Sequence, residues 1–319
     1  MIYLRKQKKI MVYGPSVVFY ETDKSLNPEL ADDQLIFSCC YDKFSKHLIN
    51  FSLRKIKMWN PFTGKIKKVY DDPMGNEITS LCMDKNMKRI FIGDNTGNIK
   101  CFNLKNGKYL KTLSGHENEI SILLHSLDLE LLISCSIENT IKIHEDKDIF
   151  EGSVLKEIKI PNVQIKSITL IEKYKRIGIG FSSGIIKFYD IEHYRYDSDF
   201  SSDNLNIRDE VTCLYFFNEY DFLISSFLSG INKIIYIPPH PLKFNSINEF
   251  FNYDLKFSEN LSPVTCHDFD YKNKILYSGD QNGILTCRDM KEFFIESDTL
   301  SGQNFNTNKG MNLLLNSCK

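Results

Sequence analysis

Short apolar runs alternate with small polar turns along this chain, and three stretches repeat one design. RIFIGDNTGNIKCFN (89–103), RIGIGFSSGIIKFYD (176–190) and KILYSGDQNGILTCRD (274–289) each hold an apolar run, a turn ending in glycine and a second apolar run. An aromatic or polar residue followed by Asp or Asn closes each copy. Gly97, Gly184 and Gly283 stand where a tight hairpin needs a residue that tolerates positive φ. A second pattern starts polar and then alternates polar with apolar positions. It occurs in EITSLCMD (77–84), EISILLHS (119–126), QIKSITLI (164–171), EVTCLYFF (210–217) and PVTCHDFD (263–270). Such period-2 alternation predicts strands with one buried face.

The patterns recur at a fixed interval. The residues closing the second strand of each hairpin are Tyr20, Trp59, Phe102, His144, Tyr189, Tyr236 and Arg288, at spacings of 39, 43, 42, 45, 47 and 52. A third landmark lies between units, where LKTLSGHENEI (110–120) is echoed by SDTLSGQNFN (297–306). Repeats of about forty-three residues with four short strands each are the pattern of propeller blades. Six units span 34–74, 77–116, 119–160, 163–208, 210–259 and 262–302. Residues 1–33 supply strands of a seventh, to which the tail NLLLNS (312–317) adds one. The expectation is one all-β domain over 1–319, a seven-bladed ring of four-stranded antiparallel blades closed by the two chain ends. A ring leaves only short strand edges open to non-specific pairing.

The best copy, GHENEISILLHSLDLELLISCSIENTIKIHED (115–146), has a Gly-His start, a small-residue strand SCS, a turn with Asn139-Thr140 and an IKI strand. On these residues the chain resembles the WD-repeat β-propeller family. Trp59 in IKMWN retains the family tryptophan; the Trp-Asp ending elsewhere reads Phe102-Asn103, His144-Glu145, Tyr189-Asp190 and Arg288-Asp289. The resemblance implies a hydrogen-bonded cluster of His116, Ser134, Glu138 and His144 that stiffens the blade, the last two departing from the family pattern. A narrower resemblance, carried by GDNTGNIKCFNLKNGKYLKTLSGHENEI and IPPHPLKF, is to WD-repeat proteins of cilia and flagella with tandem propellers and EF-hand segments. It implies docking within a cytoskeletal or axonemal assembly, with this chain as one propeller of that design or a truncated relative.

Composition narrows the function classes. Forty basic against 41 acidic side chains give a net charge of −1, which argues against a dedicated nucleic-acid binder. No run of eighteen apolar residues suggests a membrane span. The charged start MIYLRKQKKIMVYG does not read as a secretory signal. Nine cysteines hold no C-x-x-C pair. Cys82, Cys101, Cys135, Cys213, Cys266 and Cys287 fall in apolar strands and read as small buried hydrophobes in a reducing, cytoplasmic setting.

Candidate chemistry adds little. GFSSG (180–184) matches G-x-S-x-G, yet the nucleophile motif requires a helix immediately after it, and IIKFYDIE predicts a strand. Asn95 and Gln281 take the place of Ser182 in the sister copies, so the serine reads as a turn residue. The turns DNTGN and DQNG lack the Glu that a calcium loop needs. RKIKMWNPFTGKIKK (54–68) alternates cations with Ile56 and Met58, as on a wet blade edge. No phosphate loop, metal pattern or cofactor motif is present, and no catalytic constellation forms. The segments 192–209 (acidic, serine-rich) and 237–254 (proline-rich) break the period and read as extended loops, functional or disordered.

The expected role is a non-catalytic scaffold for partner proteins, working through loops on a rigid frame. Glu77, Thr79, Glu119, Ser121, Gln164, Lys166, Glu210, Thr212 and Thr265 would ring the channel mouth, joined by the turns at Asn95, Ile137, Ser182, Leu228 and Gln281. Three glutamates at blade starts predict an acidic mouth that prefers a basic or amide-rich peptide. A hydrolase using Ser182 and a modified-peptide reader are the alternatives. The reader would need clustered Arg or an aromatic cage, which these residues lack.

Overall fold

The computed structural model describes residues 2–4, 9–13, 17–21, 29–32, 38–42, 44–61, 65–84, 86–126, 128–148, 152–201, 209–237, 253–255 and 262–291. They build seven antiparallel sheets. The first is β1 (Ile2–Leu4), β2 (Lys9–Tyr13), β3 (Val17–Glu21) and β4 (Glu29–Asp32); the second is β5 (Ser38–Asp42), β6 (His47–Ser52), β7 (Lys55–Asn60) and β8 (Lys65–Asp71). The third holds β9 (Ile78–Met83), β10 (Arg89–Asp94), β11 (Ile99–Asn103) and β12 (Tyr109–Leu113). β13 (Ile120–Ser126), β14 (Leu131–Ser136), β15 (Thr140–Glu145) and β16 (Val154–Lys159) form the fourth. The fifth comprises β17 (Ile165–Ile171), β18 (Arg176–Phe181), β19 (Ile186–Asp190) and β20 (Arg195–Ser201). The sixth is β21 (Val211–Phe217), β22 (Phe222–Phe227), β23 (Asn232–Tyr236) and β24 (Tyr253–Leu255), and the seventh has three described strands, β25 (Val264–Asp270), β26 (Ile275–Asp280) and β27 (Leu285–Asp289).

Every sheet is a meander, each strand pairing with the next in sequence. The first strand of each sheet lies beside the first strands of both neighbours, and β1 touches both β5 and β25. That adjacency closes the ring. The four described strands of the first sheet come from residues 2–32. The expected tail strand at 312–317 lies outside the described residues.

The second strands are buried on both faces: HLINFS, LLISCS and RIGIGF are buried throughout. Each is sandwiched between neighbouring sheets, so its sequence reads as an almost continuous apolar run instead of an alternation. The apolar clusters accordingly sit at the seams between blades. Ile133, Ile143 and Cys135 of the fourth blade pack with Ile168, Ile179 and Phe181 of the fifth. Phe51 and Ile56 of the second pack with Ile78 and Ile92 of the third. The outer strand β8 (KIKKVYD) is mostly exposed, as expected for the basic run at a blade edge.

Four readings are corrected. Tyr236 pairs with Phe222, and it is Ile235, opposite Leu223, that matches His144 opposite Leu132 and Tyr189 opposite Ile177. The segment 192–209 is not all loop, since Arg195–Ser201 is the fourth strand of its blade. Likewise Tyr253–Leu255 ends the sixth blade, while 238–252 falls outside the described residues. Cys287 is exposed, on the outermost described strand of the seventh sheet. Cys101 and Cys135 are buried as expected, and burial pushes their thiols up to about 12 and about 11.

Candidate functional site

The turns joining second to third strands and the residues just before each first strand come together at one face of the ring. The backbone amide of Asn95 donates to the Glu77 carbonyl (3.0 Å), Ile137 to Glu119 (3.1 Å) and Ser182 to Gln164 (2.9 Å). Leu228 donates to Glu210 (2.8 Å) and Gln281 to Pro263 (2.9 Å). One hydrogen bond, repeated in five blades, pins each turn to the start of its own blade.

Asp94 stiffens its turn further. It accepts from the amides of Thr96 and Asn98 and from the side chains of Asn76, Thr96 and Asn98. Burial opposes its ionisation, but these donors outweigh burial and hold its carboxyl below the usual value. A carboxylate so occupied is a turn builder, and among the described residues no His, Cys, Asp and Glu cluster suits a metal. Gly97 has φ +86°, and a Cβ there would lie 2.2 Å from the His116 carbonyl oxygen. Gly115 is equally constrained, since its Cβ would meet the Gly97 oxygen at 2.1 Å. The Gly-His start is therefore a close backbone contact between the third blade's turn and the link into the fourth.

The mouth residues divide by what their side chains do. Thr79 donates to the Ile120 carbonyl (2.6 Å) and Thr212 to the Val264 carbonyl (2.5 Å), stitching each blade to the next. Ser121 and Thr265 donate to Cys135 and Gly279 within their own blades. Lys166 pairs with Glu210 at 3.1 Å across the seam between the fifth and sixth blades, which neutralises one of the three glutamates. Glu77, Asn95, Gln164 and Gln281 are exposed and Glu119 is half-buried. Beside them Leu53, Ile137, Leu228, Ile231 and Ile284 leave large aliphatic surface in solvent, Ile137 at 50% exposure. Only Ile137 and Leu228 of these were expected at the mouth. Exposed aliphatics in turns carry no periodic signal, which is why the others escape a pattern search.

Ser182 sits in the turn between β18 and β19. Its hydroxyl accepts from the Gln164 amide (3.4 Å), a strand follows, and among the described residues no histidine hydrogen-bonds to it. The nucleophile geometry is absent.

The fourth blade does keep a relay. His116 Nε2 lies 2.7 Å from Ser134 Oγ, which lies 2.9 Å from His144 Nε2. Burial depresses His116 to about 4 and His144 to about 3, so both rings are neutral near pH 7. His144 thus stands in for the family Trp, while Glu138 stays 3.9 Å from His116 Nδ1, beyond hydrogen-bond reach. Trp59 makes the equivalent bond in the second blade, donating from Nε1 to Asn50 Oδ1 at 3.0 Å. Asn50 and Ser134 occupy matching register positions, opposite Lys57 and Lys142.

Two further networks have no sequence signature. Asp146, just past β15, accepts both Nη groups of Arg89 (3.0 and 2.8 Å), Lys111 Nζ (2.7 Å) and His125 Nε2 (2.8 Å). These groups come from both blades at the seam between the third and fourth. At the seam between the sixth and seventh, His267 lies 2.6 Å from Ser226 and 2.9 Å from Ser278, and burial lowers it to about 3.

A closed ring of antiparallel meanders, first strands innermost and turns gathered on one face, defines a β-propeller scaffold. Residues 107–145 match the family model WD40: WD domain, G-beta repeat. The chain is 31% identical over 252 residues to cilia- and flagella-associated protein 337 B of Tetrahymena thermophila, covering 79% of this chain and 20% of that protein. It therefore spans about a fifth of that relative's length. A computationally designed protein, Ika8, shares the fold at a TM-score of 0.62 (19% identity; 89% of this chain, 81% of that one). A chain of the mitotic checkpoint complex shares it at 0.69 (12% identity; 88% and 83%). Residues 107–145 thus carry a WD repeat, and the chain folds as a β-propeller.

Proposed function

We propose that this chain is a non-catalytic docking platform that presents the pinned turns around its mouth to a partner protein within a ciliary or cytoskeletal assembly. The repeated turn-to-start hydrogen bond carries the reading, because it fixes side chains in place before any partner arrives and so lowers the ordering cost of binding. Exposed aliphatics at Ile137, Leu228, Ile231 and Ile284 supply the apolar contact. With Glu210 neutralised, the remaining negative charge gathers at Glu77, Glu117 and Glu119 beside the third and fourth blades. A partner segment carrying both basic and aliphatic side chains fits this face. The flagellar relative supports the placement. The test is affinity capture of the tagged chain from its own cells, read by mass spectrometry, beside Glu77→Lys/Glu119→Lys and Ile137→Asp/Leu228→Asp variants. Each pair should lose the same set of partners; unchanged recovery in both would refute the proposal.

A further inference from the structure

A groove between the fourth and fifth blades begins at the mouth-face turn that carries Ser182 and extends outward to Tyr196 on the fourth strand of the fifth blade. It has about 290 Å³ of open volume and runs between the link after β16 and the turn after β18. Its floor is Ile160, Val163, Phe181 and Ile185, and its rim carries Lys159 and Lys187. Both walls are fixed. The Ile160 amide donates to the Asn139 carbonyl (3.1 Å) and the Ile165 amide to Asn139 Oδ1 (2.9 Å). On the other side Phe181 and Ile185 are tied by a 3.0 Å backbone bond, and Gly184 closes onto Phe181 at 3.1 Å.

The volume falls just under the range of about 300–1,000 Å³ found for small-molecule and cofactor clefts. It suits one bulky side chain with its flanking backbone. The charge is one-sided, since among the described residues two cations and no carboxylate line the groove. Lys187 lies 5.7 Å from the ring of Tyr196, which steers its ammonium toward the groove without neutralising it. Lys159 holds a carboxylate already, that of Glu157 at 3.2 Å with both partners well exposed. Such an exposed pair contributes little and exchanges readily for an arriving carboxylate. Among the described residues no arginine lines the groove, so they do not supply the two-pronged grip that favours phosphate.

We infer that this groove binds an extended peptide segment in which an aliphatic or aromatic residue stands beside Asp or Glu. The assignment rests on the platform reading and shares the Ser182 turn with the mouth, but its lining does not include Glu77, Glu119, Ile137 or Leu228. Selection of a random linear peptide library on the immobilised full chain tests it, followed by fluorescence anisotropy with the recovered peptides. Enriched peptides should place an apolar residue next to an acidic one. Their affinity should fall about tenfold or more, about 1.4 kcal/mol, in Lys187→Glu and in Ser183→Trp, whose indole fills the groove from an exposed position. Circular dichroism melts of both variants verify folding. No enrichment, a basic consensus, or affinity unchanged in both variants would overturn the assignment, as would tighter binding when phosphoserine replaces the acidic residue. Peptides that respond to Glu77→Lys/Glu119→Lys and not to Lys187→Glu belong to the mouth; that result sinks the groove and leaves the platform standing.

Discussion

Replacing Asp146 with Asn keeps the shape of the most heavily charged buried hub and removes its only anion shared by three donors. The Asp146 and Lys111 side chains are each 1% exposed, at 2.7 Å from one another. Asn takes the carboxylate at position 146 from the buried Lys111 ammonium, which keeps the neutral amide there and the Asp148 carbonyl at 2.6 Å, while Arg89 retains Asp84 at 3.2 Å. Removing one member of a buried pair costs about 3–5 kcal/mol. A second route gives a floor. Burial alone would raise the Asp146 pKa, but hydrogen bonds from His125, Lys111 and Arg89 hold it at about 2, against 3.8 for the free group. At 1.36 kcal/mol per unit that preference is about 2 kcal/mol. Because the folded value is depressed, this contribution is complete above pH 3.8 and disappears as pH falls through about 2. The expected loss in Asp146→Asn at pH 7 is therefore about 3 kcal/mol. For a chain of 319 residues it should lower the melting temperature by roughly 4–5 °C. Lys111→Met relieves the stranded cation, so the double variant should be less destabilised than the sum of the two singles. Calorimetric melts of all four proteins decide the matter. A single variant melting within 1 °C of the parent, or strict additivity, would show that the hub is not energetically coupled.

The neutral histidines predict acid lability. His116, His144 and His267 all have depressed folded values, so their contribution is present above pH 6.5 and drains away as pH falls toward 4 and then 3. Thermal melts from pH 7 to 4.5 should show this, and His144→Trp should flatten the profile while keeping a donor to Ser134. Gly115→Ala should cost about 3 kcal/mol or more in urea unfolding, because its methyl would collide with the rigid Gly97 carbonyl. Ser182→Ala should fall within about 0.5 kcal/mol of the parent, and a fluorophosphonate probe should leave Ser182 unlabelled; an adduct there would revive the hydrolase reading.

The architecture was legible because the hairpins repeat and their glycines are forced by geometry. Gly97, Gly184 and Gly283 all take positive φ, and the strands on either side pair as the alternation predicts. The slip at Tyr236 has a simple origin. Ile235 and Tyr236 are both bulky and apolar, so only the register against Leu223 separates them. Spacing alone cannot tell that the His144 imidazole nitrogen reaches Ser134 as an indole N–H would. Asp146, Arg89, Lys111 and His125 were invisible for a different reason. They converge from strands up to 57 residues apart, and each alone looks like an ordinary surface charge. The mouth was half legible: its residues were placed by analogy between copies, but nothing in the chain announces that Lys166 cancels Glu210.

Because the apolar clusters lie at the seams, no blade owns its interior. The fourth blade shares Leu123 and Leu132 with the third and Ile133 and Ile143 with the fifth. Sister copies are thus similar in backbone yet not interchangeable, since each is cut to fit two particular neighbours. Excising or transplanting one would strand two complementary halves on either side of the gap. The order of the copies around the circle is therefore as much a part of the specification as their sequence.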